Sequence, residues 1–306
     1  MRAIVYERYG PPNVLAMSEM AKPAPKRGEI RIKVHATSVS AADWRIRKAD
    51  PFLARLFNGL FRPKRVKTLG FELAGVVDEV GEGVTRFKQG DSVFAYTGLG
   101  FGAYAEYVCL LADGVRAKEG IVAMKPANMA YGEAATVPVG GLTAMGFLRK
   151  GGIAQGQRVL VYGASGSVGT YAVQIAKSCG ADVTGVCSTG NIEMVKSLGA
   201  DRVVDYTKED FVNGGQTFDL IFDAVGKLSY SRCKSVLKNQ GKYVTVRSSM
   251  PFKHEHLAQL HSLIEAGKVR SVIDRTYTLE QIVEAHAYVE QGHKKGNVVV
   301  MVEQGL

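Results

Sequence analysis

Cysteine is scarce in this chain: four occur among 306 residues, Cys109, Cys179, Cys187 and Cys233. No two form a CxxC pair, so neither a zinc knuckle nor a disulfide framework is indicated, and free thiols buried in the fold are the simpler reading. The six histidines show no ligand spacing. Also missing is any apolar run of the ~18 residues that a membrane-spanning helix needs. The start, "MRAIVYERYG", enters a β-like alternation within two residues and has neither an apolar targeting core nor a small-residue cleavage site. A cytoplasmic location is therefore expected. Repeats and low-complexity segments are absent too, which excludes solenoids and disordered linkers.

What is present begins with length. A chain of 306 residues exceeds one typical core and suits two domains. The formal net charge of +10 is compatible with nucleic acid, an anionic membrane surface or a polyanionic cofactor, and charge alone does not choose among them. Most basic residues are dispersed, and only "RPKRVK" at 62–67 is concentrated.

From residue 1 to about 125 the pattern is strand-rich: "AIVYE", "EIRIKVHATSV", "ELAGVVDEVG", "DSVFAYT" and "AYAEYVCL" are short runs parted by Gly, Pro and Asp. They predict a compact β domain over 1–125. Inside it, 43–67 mixes aromatics with arginine and lysine, read either as a solvated helix on the β core or as a lid. The periodicity then changes. "RVLVYG", "DVTGVC", "RVVDY", "DLIFDAVG" and "KYVTV" alternate with helical patterns, predicting a doubly wound parallel sheet over 126–266. Past Gly267, "VRSVID" and "NVVVMV" read as strands that complete the first domain, with helical "TLEQIVEAHAYVEQ" between them.

The first βαβ unit carries "GASGSVG" at 163–169, an A-x-G-x-x-G turn with Ala164 in the first position. Gly166 lets backbone approach a pyrophosphate, Gly169 lets the helix pack on the strand, and the helix start offers N–H groups. Strand, turn, helix and second strand all follow in order, the context that makes the motif informative. The second strand ends in Ser188 where an acid would bind ribose hydroxyls and repel a 2′-phosphate. A hydroxyl there points to NADPH, although Gly190 and Asn191 follow and the first lysine is Lys196.

With a β domain first, a dinucleotide domain second and strands returning at the end, the chain resembles the medium-chain dehydrogenase/reductase superfamily, and within it the zinc-free quinone oxidoreductase branch. The likeness rests on "MRAIVYERYGPPNVL", "VHATSVSAADWRIR", "LGFELAGVVDEVGEGVTRFKQGDSVFA", "GAYAEYV", "AATVPVGGLTA", "VLVYGASGSVG" and "SLGADRVVDY". It implies an α/β chain with a GroES-like β domain and a Rossmann-type domain. It further implies that Ser165, Gly166, Ser167 and Val168 cradle the pyrophosphate and that Ser188 and Tyr206 bind the 2′-phosphate. By the same resemblance Val225 and Gly226 lie along the cofactor, His293, Lys294 and Lys295 close over its phosphates, and Thr143 sits near the nicotinamide. Metal-dependent relatives place cysteine and histidine where this chain reads "TSVSAAD", so no metal is expected.

Two departures stand out. Ser40-Ala41 replaces the branch's Asn-Pro, and only sixteen residues separate Val246 from Leu263, where fuller members hold an extra strand that often joins subunits. A monomer is therefore expected over a homodimer. The implied reaction passes a hydride from the nicotinamide to a quinone or to the β-carbon of an enone, with Ser40, Tyr96 and Thr143 as candidate catalytic or lining groups and Trp44 beside them. The alternatives are a zinc-free alcohol dehydrogenase or enoyl reductase, and an NADPH-binding regulator attached to RNA or anionic membrane through 62–67. No nucleic-acid partner is expected on the leading reading.

Overall fold

The computed structural model describes residues 1–114, 119–250 and 252–302. Two compact units emerge: Met1–Val139 with Lys253–Ala258 and Ile273–Leu306, and Gly140–Phe252 with Gln259–Val272. The sequence placed the changeovers at 125/126 and 266/267. The later first boundary has a physical cause, because the Val139 N–H donates to Glu72 Oε2 at 2.6 Å and ties 126–139 to the β unit.

In the first unit, β1 (Arg2–Val5) and β2 (Ala16–Glu19) form an antiparallel pair. The main sheet is built from β3 (Glu29–Ser38), β4 (Glu72–Val80), β5 (Ser92–Tyr96), β6 (Tyr107–Leu111) and β7 (Ile121–Met124), with the two late strands β13 (Ile273–Thr278) and β14 (Asn297–Met301). Its order is β13-β14-β3-β4-β5-β7, with β6 also on β3. β3 explains the sheet's character: Ile30, Ile32, Val34 and Ala36 are buried while Arg31, Lys33 and His35 alternate with them on the less buried side. That period of two covers one face of an antiparallel sheet. Helices α1 (Ala41–Lys48), α2 (Ala54–Asn58), α3 (Tyr131–Ala134) and α9 (Ile282–Glu290) belong to this unit.

The second unit holds β8 (Arg158–Tyr162), β9 (Asp182–Cys187), β10 (Arg202–Asp205), β11 (Phe218–Asp223) and β12 (Leu237–Thr245) in the order β10-β9-β8-β11-β12, all parallel. Val159, Leu160 and Val161 are fully buried in sequence, as a strand covered on both faces requires. The helices α5 (Ser167–Ser178), α6 (Ile192–Ser197) and α7 (Tyr230–Lys234) connect the strands. One core cluster gathers Leu160, Val186, Phe211, Phe218, Ile221 and Val236. Two further helices, α4 (Val137–Lys150) and α8 (His254–Glu265), each run across a unit boundary in sequence. The expected strand over "VRSVID" starts later, at Ile273, where pairing with β14 begins.

β12 is one of the two edges of its sheet among the described residues, β10 being the other. It is also irregular: Phe218 pairs with Leu237 and Leu220 with Lys242, and Gln240 takes a left-handed φ of 68°. Of the four thiols, all unpaired, Cys187 and Cys233 are buried and Cys109 and Cys179 half-buried. Burial pushes the Cys109, Cys187 and Cys233 thiols up to about 11. No helix among the described residues is long and apolar enough to cross a membrane.

Candidate functional site

The sheet order reverses at β8, which has β9 on one side and β11 on the other. Ligands of doubly wound sheets bind at the carboxyl ends of strands at such a reversal. Here β8 runs into the turn 163–166 and then α5. A Cβ on Gly169 would lie 2.1 Å from the Gly163 carbonyl oxygen, so only glycine lets α5 sit this close to the strand. Gly163, at φ +79°, faces Val225, whose Cγ2 would be 2.1 Å from an added Cβ. Gly166 differs: an added Cβ would meet nothing nearer than the Gly163 oxygen at 3.5 Å, leaving that side open. Gly166 is extended and gives α5 no side-chain cap. Ser167, Val168 and the turn therefore present a helix start suited to an anion.

Ser188 ends β9 and opens a short turn, Thr189–Asn191. The Asn191 amide donates to Ser188 Oγ at 3.1 Å and to Ser165 Oγ at 3.2 Å, clasping the strand end to the glycine turn. Its Oδ1 is shielded from solvent without a hydrogen-bond partner. A shielded polar atom without a partner costs free energy, and a ligand group that donates to this oxygen would supply one. The Tyr206 N–H donates to the Cys187 carbonyl at 3.0 Å, setting its exposed ring beside the end of β9. The acid missing at Ser188 has a counterpart one strand over. Asp205 accepts from the Thr189 and Thr207 hydroxyls, bonds that hold its carboxyl below the usual range.

At the end of β11, Asp223 accepts from the N–H groups of Val225, Gly226 and Leu228 at 3.2, 2.8 and 2.9 Å. This fixes the loop that presents Val225, which is 41% exposed, above the glycine turn. The structure thus brings Ser165, Gly166, Ser167, Val168, Ser188, Tyr206, Val225 and Gly226 to one end of the parallel sheet. These residues fit a dinucleotide. Thr143 lies half-buried in α4, in the same unit.

The other candidates belong to the β unit. Tyr96 ends β5, 8% exposed, its ring parallel to Phe71 at 6.3 Å. Burial pushes its hydroxyl up to about 12. Ser40 is the N-cap of α1: its hydroxyl and N–H both donate to Asp43 Oδ2, at 2.6 and 2.9 Å. That capping box satisfies helix-start donors. Asp43 also accepts from the Gly70 N–H at 3.0 Å, and burial pushes its carboxyl up to about 6 against those bonds. Behind it runs a buried chain of hydrogen bonds. Arg47 can only donate, so His286 Nδ1 accepts at 3.0 Å, and its Nε2–H donates to the Tyr104 hydroxyl at 3.2 Å. Burial holds that imidazole down to about 3.

Glu72 starts β4 and is 3% exposed. Ser38 Oγ and the Val139 N–H donate to its two oxygens, and burial pushes it up to about 7. Lys294 is half-buried with its ammonium on the Gly296 carbonyl, and burial pushes it down to about 8 while Glu72 and Asp274 act the other way. His293 and Lys295 on the same turn are exposed. Sequence reasoning missed Glu72 and Asn191. A lone acid within apolar "GFELAGVV" was the available signal for the first; for the second, only the fold brings Ser165 and Ser188 within reach of one amide.

Known domain families and relatives match most of the chain. Residues 26–119 match the alcohol dehydrogenase GroES-like domain, and residues 167–285 match the zinc-binding dehydrogenase family. The chain is 34% identical to the 2-methylene-furan-3-one reductase of Solanum lycopersicum, over 98% of its own length and 79% of the relative's. It is 31% identical to the chloroplastic NADPH-dependent alkenal/one oxidoreductase of Arabidopsis thaliana, over 98% and 79%. The solved structure of the quinone oxidoreductase from Coxiella burnetii superposes with a TM-score of 0.84 at 30% identity, covering 99% of each chain. The name of the second family raises the question of zinc, and the residues do not fit it: no three His, Cys, Asp or Glu side chains among the described residues form a group able to hold a metal. With its GroES-like and Rossmann-type domains, the chain belongs to the quinone oxidoreductase branch of the medium-chain dehydrogenase/reductase superfamily.

Proposed function

We propose that this protein is an NADPH-dependent, zinc-independent reductase of quinones and α,β-unsaturated carbonyl compounds. The observation that carries the reading is the clasp of Ser165, Asn191 and Ser188 at the open end of the parallel sheet, with hydroxyl and amide groups in place of an acid. The names of the tomato, Arabidopsis and Coxiella relatives support the acceptor class.

In this reading Ser165, Gly166, Ser167 and Val168 hold the pyrophosphate through backbone and hydroxyl donors at the start of α5. Ser188 and Tyr206 take the adenosine 2′-phosphate, Asn191 orients the Ser188 hydroxyl beside it, and Val225 and Gly226 flank the cofactor. His293, Lys294 and Lys295 supply positive charge toward its phosphates, and Thr143 meets the nicotinamide end. When bound, the reduced nicotinamide supplies the hydride. The chain's own share is positioning and the exclusion of water. Tyr96, whose hydroxyl keeps its proton to about pH 12, serves as hydrogen-bond donor to the developing oxyanion. Ser40 acts through Asp43 by fixing α1. A cytoplasmic location belongs to the same reading, since four unpaired thiols suit a reducing compartment.

The test is NADPH oxidation followed across quinones, 2-alkenals, cyclic enones and simple ketones, with and without a chelator. Turnover confined to the first three classes and indifferent to chelation supports the proposal. Turnover of ketones alone makes the protein a carbonyl reductase.

A further inference from the structure

Five of the thirteen exposed large apolar side chains among the described residues fall within ten positions: Phe52, Leu53, Leu56, Leu60 and Phe61, between 46% and 88% exposed. The catalytic reading does not use them. From 51 to 71 the sequence has five basic residues and no acid, and Arg62, Lys64, Arg65 and Lys67 are all exposed beside the apolar group. Monomeric proteins rarely leave a contiguous apolar patch in water unless something covers it.

The segment is held from below. Asn58 is 1% exposed; its Nδ2 donates to the Tyr6 hydroxyl and its Oδ1 accepts from the Val66 N–H, both at 2.8 Å. The Tyr9 hydroxyl donates to the Gly59 carbonyl at 2.8 Å. Arg55 lies over the rings of Tyr9 and Phe52, at 5.0 and 4.7 Å. The base is therefore pinned to the β unit while the apolar side chains face outward.

We infer that residues 52–67 form a peripheral docking surface for an anionic lipid bilayer, with Phe52, Leu53, Leu56, Leu60 and Phe61 entering the interface and the basic residues meeting lipid phosphates. Apolar insertion combined with a basic rim is the pairing that holds proteins on such surfaces, each part alone giving weak attachment. RNA would answer the charge but offers nothing to the three leucines. A bilayer accepts apolar side chains in any arrangement and requires no matching groove. With no helix able to cross a membrane among the described residues, the attachment is superficial. This inference stands apart from the catalytic proposal, because vesicle binding is read without turnover.

The experiment sediments the full chain with vesicles of phosphatidylcholine alone or with one-third phosphatidylglycerol, at low and high salt. Binding to the anionic vesicles only, released by salt, is the expected result. The double variant Leu56→Ser/Phe61→Ser should weaken partitioning by about tenfold, and the triple variant Arg62→Gln/Lys64→Gln/Arg65→Gln by about a hundredfold. Both should turn over a water-soluble acceptor as the parent does. Absence of binding to anionic vesicles overturns the inference, as does binding that survives both variants. Capture of RNA in place of vesicles overturns it too, and a variant that keeps vesicle binding but loses turnover would make the segment a lid.

Discussion

Asn191 decides more than its exposed turn suggests. Its amide donates to both Ser165 and Ser188, so its loss should loosen the adenosine end while leaving the backbone of the glycine turn intact. Asn191→Ala is expected to weaken NADPH binding about tenfold, because the Ser188 hydroxyl loses the amide that orients it toward the 2′-phosphate, with less effect on NADH. Ser188→Asp should weaken NADPH further through repulsion and spare NADH. Calorimetric titration of both cofactors checks the pair of variants, and equal losses for the two cofactors would contradict the assignment.

Glu72 gives a pH-dependent prediction at the same scale. In the folded chain it keeps its proton to about pH 7, whereas the unfolded chain releases it near the ordinary carboxylate value. Between those limits the folded state binds more protons, so stability falls as pH rises and the penalty is complete above pH 7. Asp43, at about 6, acts with the same sign. His286 acts oppositely, costing stability as pH drops below its unfolded value toward about 3. Comparison with Glu72→Gln isolates the first contribution. An amide can accept from the Val139 N–H and donate to Ser38, so the variant should gain on the parent between pH 5 and 8, by up to about 3 kcal/mol. Urea unfolding at the two pH values measures it.

At the scale of elements, Gly166 in the turn after β8 and Gly169 in the first turn of α5 have different duties. Gly169→Ala forces a methyl to 2.1 Å from the Gly163 oxygen. The helix must back away, and a loss of about 2–3 kcal/mol is expected together with weaker cofactor binding. Gly166→Ala has room for its methyl and should fold normally while binding NADPH poorly. Denaturation curves beside cofactor titrations separate the two. This turn was legible in the sequence because its signal is local: strand, glycines and helix follow one another within a dozen residues. The late strand β13 was less so. "VRSVID" has a strand's composition, but pairing with β14 starts only at Ile273, and the partner lies beyond an intervening helix. The chain of Arg47, His286 and Tyr104 was not legible at all, since its members are 182 and 239 positions apart along the chain.

For the whole molecule, the β12 edge of the parallel sheet bears on assembly. β12 bends through Gln240 and carries Lys238 and Lys242, and irregularity and lysines are features that discourage edge-to-edge pairing. The expected species is a monomer of 33.0 kDa. Light scattering during size-exclusion chromatography reads the mass directly, and a dimer that persists on dilution would show that another surface joins the subunits. The two-domain organisation was readable from the change in hydrophobic period. The exact boundary was not, because Val139 is claimed for the β unit by a buried carboxylate 67 residues earlier in the chain.

Quinones and enones are electrophiles that alkylate thiolates, so an enzyme turning them over works among reagents able to consume it. A thiol pushed up to about 11, as Cys109, Cys187 and Cys233 are, is ionised at neutral pH to only about one part in ten thousand. The thiolate is the reacting form. Burial thus gives these three thiols a chemical inertness toward the chain's own acceptors that no residue of the reaction site needs to provide.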